Sequence, residues 1–320
     1  MRISITGGGG FLGRRLADAL LADNRVERIL LADVVPIAAP PADSRVVPWV
    51  GDLCGAGAAD AIVAGADVVF HLAAVLSGQA ESEFDAGMRV NIDATRGLLD
   101  AARAGGRCPR FVFTSSLAVF GPPMPDVVTD DTAAHPQSSY GAQKAVGELL
   151  VADYSRRQFV DGRVLRLPTV CVRPGRPNAA ASSFVSGIIR EPLRGEEAVC
   201  PVPAGQELWL SSPLAAVANL AHAAFLPPEA LGSRRIVNAP GITVSVAQMI
   251  AALGAVAGPQ AAARVTFGEN PSVRRIVSSW PARFDVGRAV ALGFVRDSSF
   301  EALVRGFLDD EEAARRVRGA

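Results

Sequence analysis

Residues 2–13 read RISITGGGGFLG. Residues 2–6 form a short run suited to a strand. Residues 11–21 have the period of a helix, with Leu12, Leu16, Leu20 and Leu21 apolar. The turn between them satisfies GxxGxxG through Gly7, Gly10 and Gly13. The first glycine allows a tight turn, the middle one lets backbone approach a pyrophosphate, and the last lets the helix pack closely. The helix then turns its free N–H groups towards the anion. Such a motif alone is weak, because glycine-rich turns are common. Here Asp33 follows at the end of the next strand, 20 residues past Gly13. That is the spacing of a carboxylate that binds the adenosine ribose hydroxyls. Gly7, Gly10, Phe11, Leu12, Gly13 and Asp33 are therefore expected to bind a dinucleotide. An acid at this place repels a 2′-phosphate, and Val34 after it is not basic, so NAD is expected rather than NADP.

Outward from this turn, short apolar runs alternate with helical stretches. Strands are expected at 28–33 (RILLAD), 46–50, 68–72 (VVFHL), 110–115 and 162–167, and helices at 88–103 and 140–156. Continuous apolar strands separated by helices indicate a parallel sheet covered on both faces. The fold class expected is α/β, a Rossmann doubly wound parallel sheet. After about residue 168 the rhythm breaks, with RPGRPN (173–178), EPLRG (191–195) and CPVPAG (200–205). Residues 1–168 are read as the NAD-binding domain. Residues 169–320 are read mainly as a smaller, loop-rich substrate-binding lobe, with about 205–256 returning to the first domain. A strand near 235–238 and a helix over 244–256 belong to that return. Residues 34–43, rich in Ala and Pro, read as a surface loop.

Composition narrows the function. The 320 residues are 49% hydrophobic, with 32 basic and 32 acidic side chains. No basic stripe suggests nucleic acid. No apolar run reaches the ~18 residues of a membrane span. The N-terminus passes straight into strand and turn, without the regions of a signal peptide. Cys54, Cys108, Cys171 and Cys200 show no CxxC spacing, so neither a metal site nor a disulfide framework is expected. A cytoplasmic enzyme acting on a small molecule fits these limits.

The chemistry is marked by an oddity. Of the 32 basic residues 31 are arginine, and the only lysine is Lys144. It lies four residues after Tyr140, one of only two tyrosines. Chance gives that spacing about once in 160 trials. Tyr140 and Lys144 share a helix face one turn apart. A nearby ammonium and a positive nicotinamide ring favour the phenolate, which makes Tyr140 a general base. The compact lysine head can bond ribose hydroxyls, which arginine's fork would fill differently. Upstream, a strand ends in Thr114-Ser115-Ser116. Ser116 is placed to bond the reacting oxygen, with Ser115 beside the cofactor; capping a helix is the alternative role for such a run. GxSxG is absent, so a serine hydrolase is not supported. Asp52 and Leu53 are expected beside the adenine, and Ala73 beside the ribose and pyrophosphate. His71 is read as a structural histidine.

Together these stretches resemble the extended short-chain dehydrogenase/reductase family, of the NAD-dependent epimerase/dehydratase type. TGGGGFLG (6–13), GDL (51–53), VFHLAA (69–74), VNIDATRGLLDA (90–101), FVFTSSLAVFG (111–121), PQSSYGAQKAVGE (136–148), LRLPTVCVRPG (165–175) and FDVGRAVALGF (284–294) carry the resemblance. It implies Ser116, Tyr140 and Lys144 as the catalytic set and Asn91 as the helix asparagine near the cofactor. It also implies a homodimer built on a four-helix bundle. The chain departs from the family's sugar-nucleotide epimerases at residues 209–217 (WLSSPLAAV), which lack the charged residues a nucleotide sugar needs. Within the family it is similar to enzymes that oxidise the C2 hydroxyl of a four-carbon sugar acid with NAD.

Such a substrate needs a cation for its carboxylate. Ser77, Gly78, Ser116, Tyr140, Arg176, Asn178 and Arg190 are expected around it. The carboxylate is assigned first to Arg176, then to Arg190, then to Arg173. A nucleotide-sugar epimerase or dehydratase and a non-catalytic NAD-binding regulator are the alternatives.

Overall fold

The computed structural model describes residues 1–37, 43–175 and 180–319. Strands β1 (Arg2–Thr6), β2 (Arg28–Asp33), β3 (Val46–Val50), β4 (Val68–His71), β5 (Arg110–Ser116) and β6 (Asp161–Leu167) follow one another with helices between. Beyond them come β7 (Thr169–Val170), β8 (Ala198–Cys200), β9 (Glu207–Ser211), β10 (Ile236–Asn238), β11 (Ile242–Ser245) and β12 (Val265–Phe267).

One seven-stranded sheet has the order β10-β6-β5-β4-β1-β2-β3, and every neighbouring pair is parallel. The order reverses between β1 and β4, which opens a crevice at the carboxyl ends of the strands. β4 is buried at all four positions, as a strand covered on both faces must be. Helices Phe11–Leu21 and Pro213–Phe225 cover one face, burying Leu16, Leu20 and Leu220. Helices Ala94–Gly105 and Ser139–Arg156 cover the other, where Leu98, Leu99 and Val151 meet Phe111 and Phe113. Each such side chain contributes about 1.5–3 kcal/mol by leaving water.

A second core lies beyond the carboxyl edge of the sheet. It joins Ile188 and Ile189 of the Ser183–Leu193 helix, Leu210 of β9, Met249 and Leu253 of the Val246–Ala257 helix, and Phe307 of the Phe300–Gly319 helix. β9 pairs with β7 in parallel and β11 in antiparallel, and β8 pairs with β12. Thus β10 and the Pro213–Phe225 helix lie in the first unit, while the Val246–Ala257 helix packs in the second.

Two details differ from expectation, and a third falls partly outside the described residues. The stretch expected as one helix over 88–103 has a π-helical turn, Met88–Asp93, before an α-helix, Ala94–Gly105. The wide turn holds Asn91 where its amide meets both backbone groups of Val75, accepting at 2.8 Å and donating at 3.1 Å. The helix expected from residue 244 starts at Val246, because Ile242 and Val244 pair with β9 and Ser245 caps the helix in a capping box with Gln248. Of the loop expected at 34–43, residues 38–42 lie outside the described residues.

Candidate active site

The Ser139–Arg156 helix starts at Ser138, whose hydroxyl accepts from the Gly141 N–H at 3.2 Å. This cap aims the first turn, and Tyr140 with it, at the crevice. Gly147 lets the helix lie against β5: a Cβ there would stand 2.5 Å from the Phe113 ring. Lys144 is 2% exposed. Its Nζ lies 4.8 Å from the centre of the Phe113 ring and 5.7 Å from that of Tyr140, and among the described residues it forms no hydrogen bond or ion pair. Burial lowers its pKa to about 8, and the Glu148 carboxylate opposes the fall.

Tyr140 is half-buried, and desolvation pushes its phenol up to about 12. The Ser116 hydroxyl and the Arg173 guanidinium pull the other way. The sequence leads one to expect the lysine to favour the phenolate. In the structure Ser116 and Arg173 do so, and desolvation outweighs both. Ser116 ends β5 and serves both of its expected roles. Its Oγ accepts from the Ala118 N–H at 3.2 Å, capping a short 3₁₀ turn, and it also lines the cavity beside Tyr140. His71 is structural: Nδ1 meets Thr6 Oγ1 at 2.7 Å, Nε2 meets Thr95 Oγ1 at 2.8 Å, and burial drives its pKa down to about 3.

One cavity of about 410 Å³ gathers Gly7, Gly10, Phe11, Leu12 and Gly13 with Ser115, Ser116, Tyr140 and Lys144. Gly7 has φ +70°, and a Cβ there would stand 2.8 Å from the backbone nitrogen of Ala73. No side chain caps the helix that begins at Phe11. Its N–H groups are therefore free for an anion. Asp33 accepts from the Gly9 N–H at 2.9 Å, which fixes its carboxylate beside the glycine turn. This cradle fits a dinucleotide: backbone donors for the diphosphate and a carboxylate for ribose hydroxyls.

Residues 3–209 match the model of the NAD-dependent epimerase/dehydratase family. The chain belongs to this family. It is 54% identical to D-erythronate dehydrogenase of Cupriavidus necator, over 98% of this chain and 100% of that protein. It is 48% identical to D-erythronate dehydrogenase of Haemophilus influenzae, over 97% of this chain and 99% of that protein. The structure of an Agrobacterium tumefaciens protein described as a nucleoside-diphosphate-sugar epimerase superposes with a TM-score of 0.93 at 45% identity. That match covers 98% of this chain and 95% of the other.

The family's cofactor is NAD, and several expected residues surround its cradle without lining it. Asp52 is exposed, pairs with Arg89 and accepts from the Cys54 N–H at 2.9 Å, while Leu53 packs against the core. Ala73 donates its N–H to Thr6 Oγ1 at 3.3 Å; its neighbours Leu72 and Ala74 face the cavity instead. Asn91 is buried, and besides Val75 its amide donates to Gln143 on the catalytic helix at 2.7 Å. It braces the loop after β4 against that helix.

On the substrate side Ser77 lines the cavity and its Oγ accepts from Ala181 N–H at 3.1 Å, whereas Gly78 does not line it. Arg176 and Asn178 lie outside the described residues. Arg190 reaches the cavity wall but is committed to protein, donating to the Arg173 carbonyl at 2.8 Å and to Glu191. Arg173 also lines the cavity, and among the described residues its guanidinium has no hydrogen bond or ion pair. Sequence order gave no reason to rank it above Arg176. Trp280 joins the same wall from the end of the Pro271–Ser278 helix, with no local signal to announce it. Glu148 was overlooked although it repeats the four-residue spacing of Tyr140 and Lys144.

Proposed function

We propose that the protein oxidises the C2 hydroxyl of D-erythronate to 2-dehydro-D-erythronate with NAD. The observation that carries this is the Arg173 guanidinium, without a partner among the described residues, in one cavity with Ser116 and Tyr140. A carboxylate beside the reacting carbon needs such a partner, and a charge-assisted pair in a half-buried site is strong. Both full-length relatives named D-erythronate dehydrogenase support the substrate. Gly7, Gly10, Phe11, Leu12, Gly13 and Asp33 would hold the dinucleotide, with Lys144 at a ribose. When bound, NAD supplies the hydride acceptor for C2. Ser116 donates a hydrogen bond to the C2 oxygen. Tyr140 would accept the hydroxyl proton as a phenolate, a form that Ser116, Arg173 and the positive charge of a bound nicotinamide ring would favour against desolvation. Lys144 keeps a positive charge under the Tyr140 ring. Arg173 holds the carboxylate on the side away from Tyr140.

The superposition on a protein described as an epimerase favours a second activity, on nucleotide sugars. The local chemistry opposes it. Trp209 and Ser211 are buried and Trp209 stacks on Phe284 at 5.0 Å, so this stretch offers no charged clamp for a diphosphate. The test is NADH formation from a panel of four-carbon sugar acids, beside product formation from UDP- and dTDP-sugars followed by chromatography, because an epimerase or dehydratase returns its hydride and leaves no NADH. Turnover of a nucleotide sugar, with none of any sugar acid, replaces the proposal.

The working form we propose is a cytoplasmic homodimer. Val146 and Leu149 on the outer face of the catalytic helix, and Phe84 and Met88 near the π-turn, are exposed apolar residues that a four-helix bundle would cover. No helix among the described residues is long and apolar enough to cross a membrane. Residues 1–168 serve as the NAD-binding domain, and 169–320 supply most of the substrate lobe.

A further inference from the structure

Below Lys144 the catalytic helix carries a charge that the oxidation itself does not consume. Glu148 is 2% exposed and lies one turn past Lys144 on the same buried face. Its carboxylate accepts three hydrogen bonds. Ser115 Oγ donates to Oε1 at 2.5 Å, Arg166 Nε to Oε1 at 2.8 Å, and Arg166 Nη2 to Oε2 at 2.7 Å. Ser115 immediately precedes Ser116 on β5. Arg166 stands on β6 with its guanidinium 4.6 Å from the centre of the Phe120 ring. One carboxylate therefore ties the helix of Tyr140 and Lys144 to the strand end that carries Ser116.

The surroundings of Lys144 give this carboxylate a second task. The ammonium is buried and makes no ion pair of its own. The groups around it are Tyr140 and Glu148 on its own helix, His71 on β4, Phe113 and Ser115 on β5, and Arg166 on β6. His71 is held neutral by burial. Arg166 is paired with Glu148. Among these groups only Glu148 brings a negative charge to Lys144.

We propose that Glu148 is a positioning residue for the reaction: its carboxylate, fixed by Arg166 and Ser115, is the counter-charge of Lys144 and the pin that sets the catalytic helix against Ser116. This rests on Tyr140 and Lys144 as the working pair, not on the identity of the sugar acid. A pair that merely stabilised the fold would leave the titration of Lys144 unmoved.

The sequence makes the test direct. Lys144 is the only lysine, so protein grown with lysine labelled with ¹³C at Cε gives one side-chain resonance. The variant joins Glu148→Gln to Arg166→Met, which removes both charges and leaves neither buried alone. Of the two charges removed, Glu148 is the one that acts on Lys144, so its loss disfavours the ammonium and the midpoint falls. Wild type is expected to titrate at about 8, and the double variant about one pH unit lower. The alkaline limb of kcat/KM moves down with it. At neutral pH kcat drops about tenfold, while KM for the sugar acid stays within about twofold. An unchanged lysine midpoint overturns the proposal. Loss of the fold in both the double variant and Glu148→Gln, read by circular dichroism, overturns it equally, because the pair is then structural alone. The resonance titrates without substrate, so a protein inert towards sugar acids refutes the substrate assignment while the lysine still decides the role of Glu148.

Discussion

The two walls of the cavity are built in different ways. The wall proposed for the dinucleotide is one stretch of chain, Gly7 to Gly13, which offers backbone N–H groups and bare glycines, with Asp33 fixed to it through Gly9. The substrate wall is assembled from Ser77, Arg173 and Trp280, which meet only after the second core forms around the Ser183–Leu193 and Val246–Ala257 helices. Recognition by backbone needs a local pattern and is written locally. Recognition by side chains from distant elements is written in the packing. Between the walls stands the Ser139–Arg156 helix, which belongs to the first unit and serves both.

The difference can be broken at its centre. Tyr140→Phe removes the proton acceptor and nothing from either wall. It is expected to bind NADH like wild type, by fluorescence titration, and to lose about 10²–10⁴ in kcat. Lys144→Arg keeps the charge but not the compact head, and should also lose at least about 10² in kcat. Retention of more than about a tenth of wild-type turnover by either variant would remove that residue from the chemistry.

Damage to the substrate wall should leave the other untouched. Arg173→Ala is expected to raise KM for the sugar acid about 100-fold, the cost of one lost partner in a desolvated charge pair, with NAD affinity unchanged. If Arg190→Ala gave the larger KM effect, the carboxylate would belong to Arg190 and its bond to the Arg173 carbonyl would have to break on binding.

The dinucleotide wall gives the smaller and more selective effect. Wild type is expected to prefer NAD to NADP. Asp33→Ser should narrow the ratio of kcat/KM values about tenfold by removing the carboxylate. Arg14 sharpens this expectation, since its Nε donates to the Gly9 carbonyl at 3.0 Å and leaves a cation close to the vacated place. Equal use of both cofactors by wild type would refute the role given to Asp33. Outside both walls, Leu149→Glu should halve the mass seen by light scattering without changing the cavity.

The same contrast explains what the sequence could and could not tell. The sheet was legible because β2, β4 and β5 carry continuous apolar runs (ILLA, VVF and FVF), the pattern of parallel strands covered on both faces, and β1 is rich in β-branched residues. The start of the Val246–Ala257 helix was not, since Ile242 and Val244 suit helix or strand until β9 lies beside them. The π-turn at Asn91 depends on Val75, far away in sequence, and no local period signals it. In the site, GxxGxxG and the Tyr140–Lys144 spacing are local and were read directly. Arg173 could not be ranked, because its availability follows from what Arg190 bonds to. Glu148 was legible in principle by its spacing, but its importance comes from Arg166 on another strand.

The central claim is that the two walls meet to pass a hydride from a small sugar acid to NAD. It is tested most directly by mixing the purified protein with NAD and D-erythronate and following NADH absorbance. NADH is expected to form in equal amount with the 2-oxo acid, which can be trapped as its hydrazone, and at a rate that Tyr140→Phe abolishes. No NADH from D-erythronate or any other four-carbon sugar acid, with turnover of a UDP- or dTDP-sugar by the same preparation, would contradict it.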